Sequence, residues 1–312
     1  MCFGSGSISV RRLGMNWLFF ALLAPAVYAI VVFIDKYILE KEIKDYRGMP
    51  IYSAIIAGIF GTLIWIGTGF PLLSLRDSIL IILTGILTIF GLASYFKALS
   101  TDEASKVTFL FQMTPIITLV LSFLILGDKI SSFQLLGFLL ILFSTIGISI
   151  EKSSKKLKFS NVFFLILLTD FFWASAYVLF KFVIETNSFV KVISYESWGI
   201  GVGGFILYHF FPSVKKAFKE VSKGVGSRIL WFIVVNEGIF LLSRFLTYLA
   251  ISKGPVALVD VVGGTQVIFA ILYGLILTLL FPKIFQENIS RRGLTKKILM
   301  GVLVLAGLWL VQ

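Results

Sequence analysis

Ten stretches of this chain are apolar over lengths near the ~20 residues that a helix needs to cross a bilayer. They lie at 16–34, 51–70, 78–98, 105–126, 132–150, 160–184, 193–211, 229–251, 256–281 and 296–311. In hydrocarbon every backbone N–H and C=O must be paired within the protein, so these runs predict α-helices and not strands. The expected fold class is therefore an all-α, multi-pass integral membrane protein of ten transmembrane helices, with no substantial soluble domain. Composition points the same way. Charged residues make up 14% of the chain and hydrophobic ones 58%, whereas soluble domains carry about 25% charged residues.

The breaks between the runs carry charges or helix breakers, as in Asp35 to Pro50, Pro71 to Asp77, Gly127 to Ser131 and Glu151 to Ser160. The joins at Thr101–Glu103 and Lys253–Gly254 are so short that the helices they connect must be antiparallel neighbours. An internal correspondence divides the chain. Ala98-Leu99-Ser100 and Val107 recur 152 residues on as Ala250-Ile251-Ser252 and Val259, and Tyr28-Ala29 with Lys36 recur 145 residues on as Trp173-Ala174 with Lys181. Chance likeness between apolar segments is the competing reading. Taken as a repeat, the pattern predicts an N-terminal tail (1–15), a first five-helix repeat (16–150), a basic linker (151–159) and a second five-helix repeat (160–312). Five is odd, so the two repeats would insert with opposite orientations. That is the inverted-repeat architecture of secondary transporters, whose site lies between the halves near the membrane midplane. The segment Met1–Gly14, with Arg11 and Arg12, reads as a polar tail or as residues ahead of a start at Met15. The run after it has no small-residue cleavage site and is expected to be a retained helix.

The net charge of +12 does not indicate nucleic acid, because the basic residues sit in short clusters between apolar runs, as juxtamembrane anchors do. Cys2 is the only cysteine and His209 the only histidine. That removes an internal disulfide and the Cys- or His-paired metal motifs, so no metal or other cofactor is expected. No Walker-type glycine loop, carbonyl filter, charged ring or Ser–His pair is present. Direct ATP drive, a channel and an enzyme therefore lack a motif. A membrane-embedded enzyme or a non-transporting membrane protein stays as the alternative.

The motifs Tyr95-Phe96-Lys97-Ala98-Leu99, Ala104-Ser105, Pro115, Leu126-Gly127-Asp128, Gln134, Gly137 and Gly147 resemble the EamA family of the drug/metabolite transporter superfamily. Members usually carry Glu where Asp128 stands. The spacing of Tyr28 to Lys36 and of Trp173 to Lys181 looks like the family's repeat start. The resemblance runs from about residue 16 to 311. The second half departs more, with Val267 in place of the proline and Pro282-Lys283 near the expected Gly-Glu. The resemblance implies ten helices in two inverted repeats and the movement of small metabolites, and it leaves the metabolite unnamed.

Lys and Arg concentrate on the cytoplasmic side of short loops. Most of the 28 here fall in odd-numbered loops, such as Lys41, Lys156, Lys216 and Arg292, which would put those loops inside and both termini outside. The family resemblance implies termini inside, so orientation stays open between the two.

Ionisable residues within the spans cost roughly 2.5–3.5 kcal/mol each on insertion scales and call for a reason. Asp170, Trp173, Tyr177 and Lys181 share one helical face. That face would line a cavity with Asp170 as a proton or amine site, or would make an interhelical hydrogen bond with ordinary packing. Lys181 is expected to snorkel. In the eighth segment, Glu237 and Arg244 are expected to meet other helices rather than each other. Arg244 would hold a carboxylate or phosphate bidentately, or join a buried ion-pair network. Asp260 precedes Gly263-Gly264-Thr265-Gln266, glycines that kink the helix towards a cavity or allow close packing. Asp260 and Gln266 occupy the repeat positions of Thr108 and Thr114. Gln112, Thr114 and Pro115 are the counterparts in the fourth segment, and Tyr28 is the counterpart of Trp173. Glu196 and His209 read as interface residues at opposite ends of the seventh segment.

The function expected is a secondary transporter in the plasma membrane, moving a small polar or amphipathic metabolite such as an amino acid by alternating access. Coupling would run through protonation of Asp170, Glu237 or Asp260, or through exchange. The expected partners are that small molecule and the lipid bilayer, with no nucleic acid. A monomer suffices to enclose the site, and a homodimer is compatible with the sequence.

Overall fold

A computed structural model describes residues 14–43, 45–127, 131–153, 156–159, 161–282 and 291–311. Cys2, Arg11, Arg12, Asp128 and Lys283 lie outside these residues. Each apolar run of the sequence forms helix over most of its described length. In chain order the helices are α1 (Gly14–Tyr37), α2 (Met49–Gly67), α3 (Leu75–Leu99), α4 (Ala104–Leu110), α5 (Thr114–Leu126) and α6 (Ser132–Ser149). After a short hairpin come α7 (Asn161–Ile184), α8 (Phe189–Phe210), α9 (Pro212–Gly224), α10 (Ser227–Lys253), α11 (Val256–Gly263), α12 (Gln266–Leu280) and α13 (Arg291–Val311).

Among the described residues, seven helical stretches are long and apolar enough to cross a membrane, from Trp17–Glu42 to Val256–Leu280. Their outward faces fit that solvent. Leu63, Leu124 and Trp231 are 64%, 68% and 68% exposed, part of an apolar surface far larger than a soluble monomer tolerates. The chain is a multi-pass membrane protein.

Two elements were not expected from the sequence. The basic stretch 151–159, read as a linker, is largely an antiparallel hairpin of β1 (Ile150–Ser153) and β2 (Lys156–Phe159), with Ile150 opposite Phe159. The lysine-rich stretch after the seventh run, read as a loop, is the helix α9. Pro212 opens it without losing a hydrogen bond, since the first N–H of a helix has no acceptor. Its Ala217 and Val221 are buried while Lys215, Lys216 and Lys219 stay exposed. This one-sided pattern lays the helix against the bundle, where Tyr52 Oη and Ser222 Oγ meet at 2.7 Å.

The halves join through glycines on α3 and α8. A Cβ on Gly85 would lie 2.2 Å from the Glu196 carbonyl oxygen, and one on Gly199 would lie 2.3 Å from that of Ile82. Only hydrogen fits between these backbones, as at small-residue interfaces in membranes. Elsewhere α3 packs on α7, α1 on α10, α2 on α8 and α6 on α13.

Two runs are broken in the middle. Between α4 and α5, residues Phe111–Met113 tighten to a 3-10 turn. Pro115 has no N–H for the Phe111 carbonyl, which the uninterrupted helix would require. Between α11 and α12 the break falls at Gly264 and Thr265. A Cβ on Gly263 would meet nothing nearer than Asp260 Oδ1 at 3.9 Å. Open space, and not close packing, surrounds this glycine.

Candidate functional site

Both breaks face one cavity of about 90 Å³, which is also lined by Pro25 within α1. Proline at 25 leaves the Ala21 carbonyl without its helical partner, and Ala21 is on the same wall. Unpaired backbone and helix breaks are tolerated at membrane depth where they line a cavity. Three elements with sequence-visible breakers therefore converge on one space.

Tyr28, Gln112 and Thr114 from the first half, and Trp173, Tyr177, Arg244, Asp260 and Gln266 from the second, line that cavity. Asp170 stands behind it. Thr114 Oγ1 donates to Asp170 Oδ1 at 2.8 Å, while Asp170 Oδ2 is buried without a hydrogen-bond partner. Glu237 is not on the cavity wall. It is 2% exposed and faces Ser53 and Asp35 instead.

The aromatic wall is continuous. The Trp173 ring centroid lies 5.3 Å from that of Phe111 and 5.9 Å from that of Tyr28, and Tyr28 lies 6.0 Å from Phe240. These spacings match the contact distances of packed aromatic pairs. Trp173 is held by its indole N–H, which donates to the Thr88 carbonyl at 3.3 Å.

Arg244 is committed within the protein. Its Nη2 pairs with Glu196 Oε1 and donates to Tyr248 Oη at 3.0 Å, and its guanidinium lies 5.0 Å from the Tyr248 ring centroid and 5.8 Å from that of Phe240. This corrects the reading of Glu196 as an interface residue, since its side chain is 1% exposed. Helix α8 begins at Phe189, four residues before the apolar run does, so Glu196 lies two turns inside. Asp260 accepts from Thr118 Oγ1 across the broken segments. The ion pairs among the described residues leave Asp170, Asp260, Asp35 and Glu237 without a cation.

Asp35 is the residue that sequence reasoning missed. It was read as the start of a polar break, but α1 continues to Tyr37 and Asp35 is 2% exposed. Tyr95 Oη donates to Asp35 Oδ2 and Asn236 Nδ2 donates to Asp35 Oδ1, both at 2.7 Å. This knot joins α1 and α3 of the first half to α10 of the second. Phe111 and Phe240 carried no signal that sets them apart among 32 phenylalanines.

Among the described residues no three His, Cys, Asp or Glu side chains converge as metal ligands. What the cavity offers is a set of aromatic faces, two carboxyls without cations, and amide and hydroxyl groups. These can bind and orient a small molecule.

A sequence model of the EamA-like transporter family matches residues 15–150. The resemblance expected to run to residue 311 is thus matched over the first half. The unmatched second half is the part where Val267 stands in place of proline. No curated protein matches the chain closely. One crystal structure is similar with a TM-score of 0.59, covering 94% of this chain and 94% of its own, at 15% identity. At that identity the likeness shows the fold alone.

Proposed function

From the match of residues 15–150 to the EamA-like transporter family we propose that the chain is a secondary transporter of a small polar or amphipathic metabolite. The observation that carries the reading is the central cavity, lined from both halves of the chain and flanked by two broken helices. In this reading ten helices cross the membrane as two inverted five-helix repeats, and the halves rock about the cavity to expose it to each side in turn.

Three geometric correspondences support the repeat. The break at Phe111–Met113 recurs 152 residues later at the Gly263–Thr265 stretch. Lys36 Nζ donates to the Leu99 carbonyl at 2.9 Å, and its counterpart Lys181 donates to the Ile251 carbonyl at 3.4 Å. The first helix of each half thus caps the third of the same half. Across the halves, α3 packs on α7 as α10 packs on α1.

The Asp35–Tyr95–Asn236 knot serves in this reading as a latch between the halves on the α9 side of the cavity. Asp170, Asp260 and Glu237 are the groups through which protons would couple to transport, because a buried carboxyl without a cation is least costly when neutral. The plasma membrane is the expected location, and one chain encloses the whole site.

The test is uptake into liposomes holding the purified protein, offered a mixed pool of amino acids, amines and related metabolites, with the lumen analysed by mass spectrometry. Accumulation of an intact compound above empty liposomes supports transport. A compound chemically converted without accumulating would favour the membrane-embedded enzyme instead.

A further inference from the structure

We infer that the cavity takes an organic ammonium ion, a cation that carries no carboxylate of its own. The inference deepens the transporter reading and rests on it for passage across the membrane, though not for binding.

The charges around the cavity are not symmetric. The one cationic side chain on its wall, Arg244, already has Glu196 and Tyr248 as partners and the Tyr248 ring beneath its guanidinium. A zwitterion's carboxylate would have to compete with Glu196 for it. The carboxyls are in the opposite condition. Asp260 is on the wall and Asp170 is one hydroxyl behind it, with no Lys or Arg paired to either among the described residues. Asp170 is fully buried, and its Oδ2 has no partner. A buried acceptor of this kind calls for a donor or a cation.

The remaining polar groups add acceptors. Of the lining groups, Gln112 Oε1 and Tyr28 Oη are buried without hydrogen-bond partners, and both can accept. Gln266 Nε2 is the unpartnered donor in the same region. The faces of Trp173, Tyr28 and Phe111 complete the enclosure, and aromatic faces attract ammonium groups through their quadrupoles. An anion would meet two carboxyls and a set of aromatic faces, all unfavourable to it. An ammonium would meet carboxyls, acceptors and aromatic faces, with the paired Arg244 and the amide donor of Gln266 the exceptions.

The experiment compares matched compounds in liposomes holding the full chain. Ethanolamine and choline are the cations, glycine and glycine betaine the zwitterions of similar size, and propionate the anion. Uptake is read by isotope, and binding by the shift in thermal unfolding of the detergent-solubilised protein. We expect at least one cation to enter about tenfold faster than its zwitterion, a difference of about 1.4 kcal/mol. Ethanolamine outpacing choline would assign the selectivity to hydrogen bonds, and the reverse would assign it to the aromatic faces. Asp260→Asn should lower cation uptake about tenfold, with Asp260→Glu retaining it. Should Asp260→Asn not fold, the comparison of cation with zwitterion on the unmodified chain decides alone.

Equal or faster entry of glycine, betaine or propionate overturns the ammonium inference and leaves the transporter reading intact. Cation binding without any uptake upholds the inference and overturns the transporter reading. If no cation shifts unfolding or enters, the inference fails.

Discussion

Thr114 Oγ1 donates to Asp170 Oδ1 at 2.8 Å, and this bond ties the broken fourth segment of one half to the first helix of the other. Both residues are buried, at 5% and 0% exposure. The bond couples the carboxyl most enclosed at the cavity to the element whose 3-10 turn opens onto it.

Two substitutions separate the structural and functional sides of this contact. Asp170→Asn keeps an acceptor for Thr114, so the protein should fold with a near-normal unfolding midpoint in detergent. If protons pass through this carboxyl, its uptake should lose the pH dependence of the parent. An unchanged pH profile would remove Asp170 from the coupling scheme. Thr114→Val strips the donor and should destabilise by about 1–3 kcal/mol.

For Arg244 and Glu196, removing one member leaves a buried charge alone. Arg244→Met or Glu196→Leu should each cost about 3–5 kcal/mol, whereas the double replacement should cost much less. Unfolding of the four proteins in one detergent measures the coupling. A loss in the double variant equal to the sum of the two single losses would mean that the pair is not coupled in solution.

The knot at Asp35 predicts a change in access as well as in stability. Tyr95→Phe removes one of the two donors and should cost about 1–3 kcal/mol. If the knot is a latch, a cysteine at position 28 in a Cys2→Ser background should react faster with a polar maleimide once Tyr95 is Phe. A rate that stays the same would leave the knot a purely structural contact.

Glycines at the α3–α8 seam and those facing open space should behave in opposite ways. A methyl on Gly199 collides with the Ile82 carbonyl, and Gly199→Ala should destabilise by at least ~1–3 kcal/mol. Gly238 in α10 has nothing within 4 Å of a built Cβ. Gly238→Ala should stabilise by about 0.4–1 kcal/mol, because alanine restricts the unfolded chain. Thermal unfolding of both variants tests the seam directly.

The amino-acid sequence by itself determined where the apolar helices run and which solvent they require, because hydrophobic run length and backbone pairing in lipid are local constraints. It also held the 3.6-residue spacing that sets Asp170, Trp173 and Tyr177 on one face, and the Pro115 and Gly263-Gly264 breakers that interrupt two runs. The tertiary structure decided which polar residues meet. Glu196 and Asp35 sit near the ends of apolar runs, so in sequence they resemble boundary residues. Only partners from distant segments, Arg244 for one and Tyr95 with Asn236 for the other, make their burial affordable. The same holds for α9, whose apolar stripe has a place to lie only because Tyr52 and Gly48 come beside it from the other half. Helices follow from short-range chemistry, but the neutralisation of a buried charge depends on what the fold brings within hydrogen-bond reach.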